Sequence, residues 1–372
     1  MSRSPAQEVR DVSKSTDLAI VGGGIAGLTT ALAATERGLS VVVIDEPRPG
    51  AASRAAAGML APSVEGLAPG VRELALEARD YFPRFLAELR AKADVDVAVA
   101  LDRKGILEVA TTDDDFVRLQ TRAHRDAQTL DRISLASLEP SLSRHAGALL
   151  HATDGAVDNI TLMTTLDLAV ARDRGIRRIH GRVDSIGRSG VRHVAWTADG
   201  TRHESAAIVL ANGAWAAGLP GLPRALPVRP LRGQLLRLDR LAVRHVVYVA
   251  GGYLVPRGTS LLVGATAEDA GFLNAVTAGG LAELRGIAER AVPDLGSARV
   301  VEHWAGLRPV TPDALPILGA DPEEPGLIYA CGFSRNGILL APWAATQLGT
   351  LMAGGGTPDS LLPFSPARFV SG

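Results

Sequence analysis

Asp17-Leu-Ala-Ile-Val-Gly-Gly-Gly-Ile-Ala-Gly27, followed by Ser40-Val-Val-Val-Ile-Asp-Glu46, decides how the chain begins. Residues 17–21 are a short, continuous apolar run, the pattern of a strand buried on both faces. A glycine cluster then turns the chain into an apolar segment over 25–37 that reads as a helix, with Gly38 as its stop. Residues 40–44 form a second buried strand ending at Asp45-Glu46. Strand, helix and strand within about thirty residues make a βαβ unit and predict a parallel sheet covered on both faces. In Gly22-x-Gly24-x-x-Gly27 each glycine has a separate task. The first permits the tight turn, the second lets backbone approach a pyrophosphate, and the third lets helix and strand pack closely. Free N–H groups at the helix start favour a bound diphosphate. Asp45 sits where a carboxylate accepts ribose hydroxyls. The motif alone does not separate FAD from NAD.

Composition narrows the classes around this unit. A length of 372 residues allows about two ordinary domains, and 47% hydrophobic residues suffice for a sizeable core. The 39 basic and 40 acidic residues leave a formal charge of −1, so there is no basic footprint for nucleic acid or an acidic membrane surface. Neither partner is expected. The single cysteine, Cys331, excludes an internal disulfide framework and a multi-cysteine metal site. It fits a reducing cytoplasm, where the protein is expected. The histidines are scattered without ligand spacing, so no metal is expected. Residues 1–16 are polar, lack the apolar core of a secretory signal and read as a disordered leader. Residues 18–34 are uncharged and just short of spanning length, but Gly22, Gly23, Gly24 and Gly27 make strand, turn and helix the better reading than a membrane span.

Further along, helices are expected over 71–90, 113–130, 161–174, 277–291 and 338–352, and strands over 105–110, 179–186, 193–196, 207–210 and 327–330. Between residues 229 and 266 short strands such as 234–238 and 260–263 are separated by turns, which predicts antiparallel sheet. A domain interleaved along the chain fits this order better than two consecutive ones.

Three further stretches carry a family resemblance: Gly50-Ala-Ala-Ser-Arg-Ala-Ala-Ala-Gly-Met-Leu-Ala-Pro62, Trp304-Ala-Gly-Leu-Arg-Pro309 with Thr311-Pro-Asp313, and Phe333-Ser-Arg-Asn-Gly-Ile-Leu-Leu-Ala-Pro342. With the glycine motif, they resemble the D-amino-acid oxidase superfamily, and within it glycine oxidases of the thiazole-biosynthesis type. The resemblance runs from about residue 17 to 351 and is weakest over 71–145. It implies an α/β fold: a Rossmann-like FAD-binding domain of the glutathione-reductase-2 type, interleaved with an α+β substrate domain built on an antiparallel sheet. The implied division assigns 17–80, 146–225 and 300–372 to the FAD-binding domain, and 81–145 and 226–299 to the substrate domain. It also implies a cofactor site. Gly22, Gly24, Ile25, Ala26 and Gly27 would lie at the pyrophosphate, and Asp45 and Glu46 at the ribose. Ser53, Ala57, Gly58 and Met59 would follow the ribityl chain and flavin edge, with the Val183 backbone at the adenine. Phe333, Ser334, Arg335, Asn336, Gly337, Ile338 and Leu339 would wrap the pyrimidine side. The helix start at Asn336-Gly337 makes physical sense there, because free N–H groups stabilise negative charge developing on a reduced ring.

For the substrate, Arg308 is the first choice, since a planar guanidinium fork matches a carboxylate as lysine cannot. The competing reading is a structural arginine paired with Asp313. Tyr253, in Gly-Gly-Tyr-Leu-Val-Pro256, matches the family's active-site tyrosine, and Arg335 a second arginine beside the flavin, which would either assist substrate approach or brace the Phe333 turn. Two departures stand out. Ala267 follows Gly264-Ala-Thr266 where the glycine-oxidase pattern has methionine, and Gly251 stands where it has histidine. Both remove bulk near the expected pocket and favour a larger or differently shaped amine. Cys331 lies in an apolar strand and reads as an inert thiol, so the FAD is expected to be non-covalent.

The implied activity is hydride transfer from the substrate α-carbon to flavin N5, giving an imine, then a 2-oxo acid, with oxygen reduced to hydrogen peroxide. No acid–base side chain is required; a dry site and an aimed C–H bond suffice. The alternatives are a dehydrogenase of the same fold using a quinone or carrier protein, and a catalytically silent flavoprotein. An NAD-linked reductase or flavin monooxygenase is disfavoured, because no second GxGxxG unit is found. Expected partners are thus a small amino acid or amine and oxygen or another acceptor, and the resemblance suggests a homo-oligomer.

Overall fold

The opening strand alternates its side chains between two apolar layers. In the computed structural model, which describes residues 16–369 apart from Gly66, Ala68 and Val97, β1 spans Thr16–Val21, α1 spans Ile25–Thr35 and β2 spans Val41–Asp45. Leu18, Ile20, Val41 and Val43 join the cluster containing Leu28 and Ala31 of α1, while Ala19, Val21, Val42 and Ile44 enter a second cluster on the opposite face. Two-sided burial is why these strands are apolar at every position. The expected leader lies outside the described residues, apart from Thr16, which begins β1.

β1 pairs in parallel with β2 and with Arg202–Leu210. Ile176–His180 extends the parallel set beyond β2, and Leu327–Cys331 extends it beyond Arg202–Leu210. Val183–Ser189, Arg192–Thr197 and Ile317–Ala320 complete this sheet with antiparallel pairings. One face carries α1, Pro69–Ala93 and Gly337–Met352, whose apolar residues share a core. Among the described residues no helix is long and apolar enough to cross a membrane.

The second sheet is ordered Val300–Val310, Arg229–Leu238, Ser260–Gly264, Gly252–Arg257, Val246–Val249, Ile106–Ala110, Gly147–His151, Gln128–Asp131. Its pairings are antiparallel except where Val246–Val249 meets Ile106–Ala110 in parallel. Those two strands come from distant segments, so no hairpin constrains their direction. Gly147–His151 and Val300–Val310, assigned from the sequence to flavin-domain segments, pair within this sheet.

Three expected elements differ. The helix over 113–130 ends at Arg122 after a capping box between Thr112 and Asp115, and Gln128–Asp131 is instead an edge strand. There only Leu130 faces the core, and the charges on either side mask the alternation. The strand over 179–186 is two strands, because Gly181 leaves the edge of β2, donating its N–H to the Asp45 carbonyl at 3.0 Å, and the chain then turns to pair with Arg192–Thr197. Arg202–Leu210 begins well before 207, since residues 202–205 pair with Arg192–Thr197 and the parallel pairing with β1 starts at Ser205.

Candidate active site

The turn after β1 leaves no room for side chains. Gly22 has φ +110°, and a β-carbon there would sit 2.6 Å from the Ala211 carbonyl oxygen. A β-carbon on Gly27 would lie 1.9 Å from the Gly22 carbonyl oxygen, so helix and strand pack at backbone distance. Asp45 reaches across from β2, its Oδ2 within 2.6 Å of where a Gly23 β-carbon would be. Gly24 is the N-cap of α1 and offers no side-chain cap; Ser53 Oγ accepts the Ile25 N–H at 3.0 Å. The helix start thus keeps its remaining donors and its positive end toward the adjoining space.

That space is a cavity of about 720 Å³. At one end it is lined by Gly22, Gly24, Ile25, Ala26, Asp45, Glu46 and Val183, and further in by Ser53, Ala57, Gly58 and Met59. Phe333 to Ile338 form another wall, and Tyr253, Arg308 and Arg335 the far end. Gly27 lies beneath the turn and Leu339 is buried in the helical core, so both support the wall without lining it.

The segment from Gly50 to Met59 is pinned from several directions. Leu307 N–H donates to Gly50 O at 2.8 Å, and Trp304 Nε1 to Ala55 O at 2.9 Å. Asn159 Nδ2 donates to Ser53 O and Arg54 O, each at 3.1 Å. Arg257, paired with Asp158 at 2.7 Å, donates to Ala57 O at 2.8 Å. Gly58 has φ +80°, and a β-carbon there would lie 2.0 Å from the Val157 carbonyl oxygen. On the opposite wall Ser334 N–H donates to Pro309 O at 2.9 Å, which ties the Phe333 turn to the strand carrying Arg308. The helix Gly337–Met352 begins behind Asn336 without a side-chain cap. Two helix N-termini therefore border one cavity, lined by glycine backbone near an acidic strand end. This combination suits a diphosphate, a ribose and a flat ring that takes up negative charge, so the residues present fit an FAD.

At the far end, Arg308 Nη1 donates to Thr266 O at 3.0 Å, which fixes one edge of the guanidinium. The expected alternative partner, Asp313, instead pairs with Arg368 at 2.7 Å. Tyr253 is buried beside Tyr248, ring centroids 5.7 Å apart. Burial pushes the Tyr253 phenol above its ordinary value, and Arg308 and Arg335 offset part of that rise. Cys331 lies on the wall with its thiol pushed up to about 12 by burial, so it is protonated at neutral pH.

Two expectations are corrected. Ala267 is exposed and does not line the cavity, because beyond Gly264 the pairing is irregular: Thr266 and Glu268 bond back to Gln234 and Arg232, and Ala267 between them is turned outward. Gly251 is also exposed, in a turn with φ +91° over Arg290, so neither position adds room to the pocket. The sequence reading also missed residues. Glu65 lines the cavity, pairs with Arg335 at 3.0 Å and accepts the Tyr248 hydroxyl at 2.8 Å. Trp215 also lines the cavity, with Arg48 5.1 Å from its ring centre and Phe272 stacked on it at 5.8 Å. A lone acid in a loop and a tryptophan in a short turn after a strand carry no local signal; only the fold brings them here.

Residues 17–351 match a family model described as FAD dependent oxidoreductase (DAO). A glycine oxidase of Geobacillus kaustophilus is 34% identical over 369 residues, covering 95% of this chain and 97% of that one. The crystal structure of glycine oxidase from the same organism superimposes with a TM-score of 0.87 at 33% identity, over 96% of this chain and 100% of that chain. Iminodiacetate oxidase from Chelativorans sp. BNC1 gives a TM-score of 0.85 at 26% identity, over 94% of this chain and 98% of that one.

Proposed function

The chain belongs to the DAO family of FAD-dependent oxidoreductases, and on that premise we propose that it oxidises the carbon–nitrogen bond of a small amino acid or amine. The observation that carries this reading is the continuity of one cavity from the Gly22 turn to Arg308 and Tyr253. A cofactor cradle and a carboxylate-sized cationic end share the same space.

Bound FAD supplies a two-electron acceptor. Gly22, Gly24, Ile25 and Ala26 would hold its pyrophosphate, with Asp45 and Glu46 at the ribose and Val183 at the adenine. Ser53, Ala57, Gly58 and Met59 would follow its chain, and Phe333 to Ile338 its ring. Gly27 and Leu339 would brace these walls from behind. Arg308 would take the substrate carboxylate with the guanidinium edge not spent on Thr266, while the Tyr253 hydroxyl donates beside it. The buried Tyr253 ring would exclude water and fix the α-carbon's approach. The substrate loses two electrons and two protons to become an imine, and water then releases a 2-oxo product and the amine. Oxygen is the proposed final acceptor and leaves as hydrogen peroxide. The glycine oxidases among its relatives support a small substrate of the glycine, sarcosine or D-amino-acid type.

Anaerobic mixing of the yellow holoprotein with glycine, sarcosine, D-alanine and D-proline tests the reading. Bleaching by at least one, followed by stoichiometric peroxide when air is admitted, is the expected result. A flavin untouched by the whole panel would overturn it, and bleaching without peroxide would replace the oxidase with a dehydrogenase.

A further inference from the structure

We infer that Glu65 restricts this site to substrates with a single carboxylate, by committing Arg335 and leaving Arg308 as the guanidinium available to them. The inference rests on the proposed role of Arg308. Glu65 is 10% exposed at its side chain and contacts Arg335 Nε at 3.0 Å. The Tyr248 hydroxyl donates to the same carboxylate at 2.8 Å.

The chain just before Glu65 is anchored. Two residues earlier, Ser63 donates its N–H to Asp154 at 2.9 Å and its hydroxyl at 3.0 Å. Asp154 has no exposed side-chain surface and is paired with Arg79 at 3.0 Å. With the backbone anchored two residues away, swinging Glu65 aside breaks its own bonds to Tyr248 and Arg335.

The charge arithmetic follows. Arg308, Arg335 and Glu65 surround the buried Tyr253. Two positive charges and one negative leave a single net positive charge, which one carboxylate neutralises. A second carboxylate on Arg335, whose side chain is 55% exposed, would have to displace Glu65 or lie beside its 10% exposed carboxylate, at the cost of like-charge repulsion. Glu65→Gln keeps an acceptor for Tyr248 and removes the charge, which frees the Arg335 fork.

Calorimetric titration of FAD-loaded protein with acetate and with malonate tests this near pH 8 without any turnover. The wild type is expected to bind malonate no more tightly than acetate. In Glu65→Gln the malonate-to-acetate affinity ratio should rise by about tenfold or more. The double variant Glu65→Gln, Arg335→Met should restore the wild-type ratio. A wild type that prefers malonate tenfold, an unchanged ratio in Glu65→Gln, or no binding of either anion would overturn the inference. If Glu65→Gln fails to take up FAD, the wild-type comparison decides alone. The functional reading fails separately, when the amine panel leaves the flavin oxidised although the two anions bind as expected.

Discussion

A β-carbon on Gly233 would lie 2.2 Å from Nη1 of Arg308, so the guanidinium occupies space that only a glycine leaves open. Gly233 is in the strand Arg229–Leu238, opposite Gly306, and Arg308 is two residues beyond Gly306 on the paired strand. The clash from Gly233→Ala is with the mobile end of a side chain rather than with backbone, so the sheet should survive and the arginine should move. We expect KM for the amine to rise about tenfold with FAD content and melting temperature nearly unchanged, since a small displacement of a positioning group costs rate and binding. Steady-state kinetics beside flavin absorbance decide; an unaltered KM would separate Arg308 from substrate.

Arg308→Lys should be no milder than that. One edge of the guanidinium is spent on Thr266 O at 3.0 Å. An ammonium has no second planar edge to present to a carboxylate. KM should rise roughly 10- to 100-fold, the scale of one lost charge-assisted hydrogen bond. Flavin retention after gel filtration should match the wild type. Loss of flavin would instead give Arg308 a structural task.

Much of this arrangement was legible in the chain itself, for local reasons. The Gly22 turn, Asp45 and the helix start at Gly337 depend on neighbours within a few residues, and each is where its pattern predicts. Arg308 and Tyr253 were found through motifs, and both reach the cavity. What was not legible depends on distant pairing. Glu65 gains its meaning from Arg335, 270 residues away. Gln128–Asp131 becomes a strand because Gly147–His151 offers an edge. Ala267 was misread because spacing along a strand does not reveal where regular pairing ends, and here Thr266 and Glu268 take the bonds to the neighbouring strand.

The raised Tyr253 pKa has a kinetic consequence. Burial holds the phenol in its neutral, donating form above the ordinary tyrosine range, with Arg308 and Arg335 only partly offsetting this. Because the shift is upward, ionisation of Tyr253 should not weaken anion binding at moderately alkaline pH. Acetate affinity, read from the flavin spectrum, should stay flat from about pH 8 to about pH 10. Tyr253→Phe should weaken acetate by roughly tenfold across that range without changing its slope. A steep wild-type loss that vanishes in Tyr253→Phe would show that the phenol ionises early.

The wall that would grip the ring depends on a buried carboxylate outside the cavity. Asp321, fully enclosed at its side chain, meets Arg224 through two contacts of 3.0 Å and accepts the Tyr329 hydroxyl at 2.8 Å. Tyr329 lies on Leu327–Cys331, the strand that feeds the Phe333 turn. Burial alone would raise the Asp321 pKa; Arg224, Tyr329 and the N–H groups of Glu323 and Glu324 outweigh it, and the net shift is downward. A lowered folded-state pKa means that the folded protein binds fewer protons there than the unfolded chain. Its stabilisation is therefore complete above the ordinary carboxylate range, about pH 4, and is lost as pH falls through the folded value. Asp321→Asn leaves Arg224 only the exposed Glu323, 3.1 Å from its Nη2, as a charged partner and should cost about 3 kcal/mol at neutral pH. Urea unfolding of both proteins should show that gap at about pH 7 and a narrower one at about pH 3. A gap that stayed constant, or widened in acid, would mean that the Asp321 charge does not hold this strand in place.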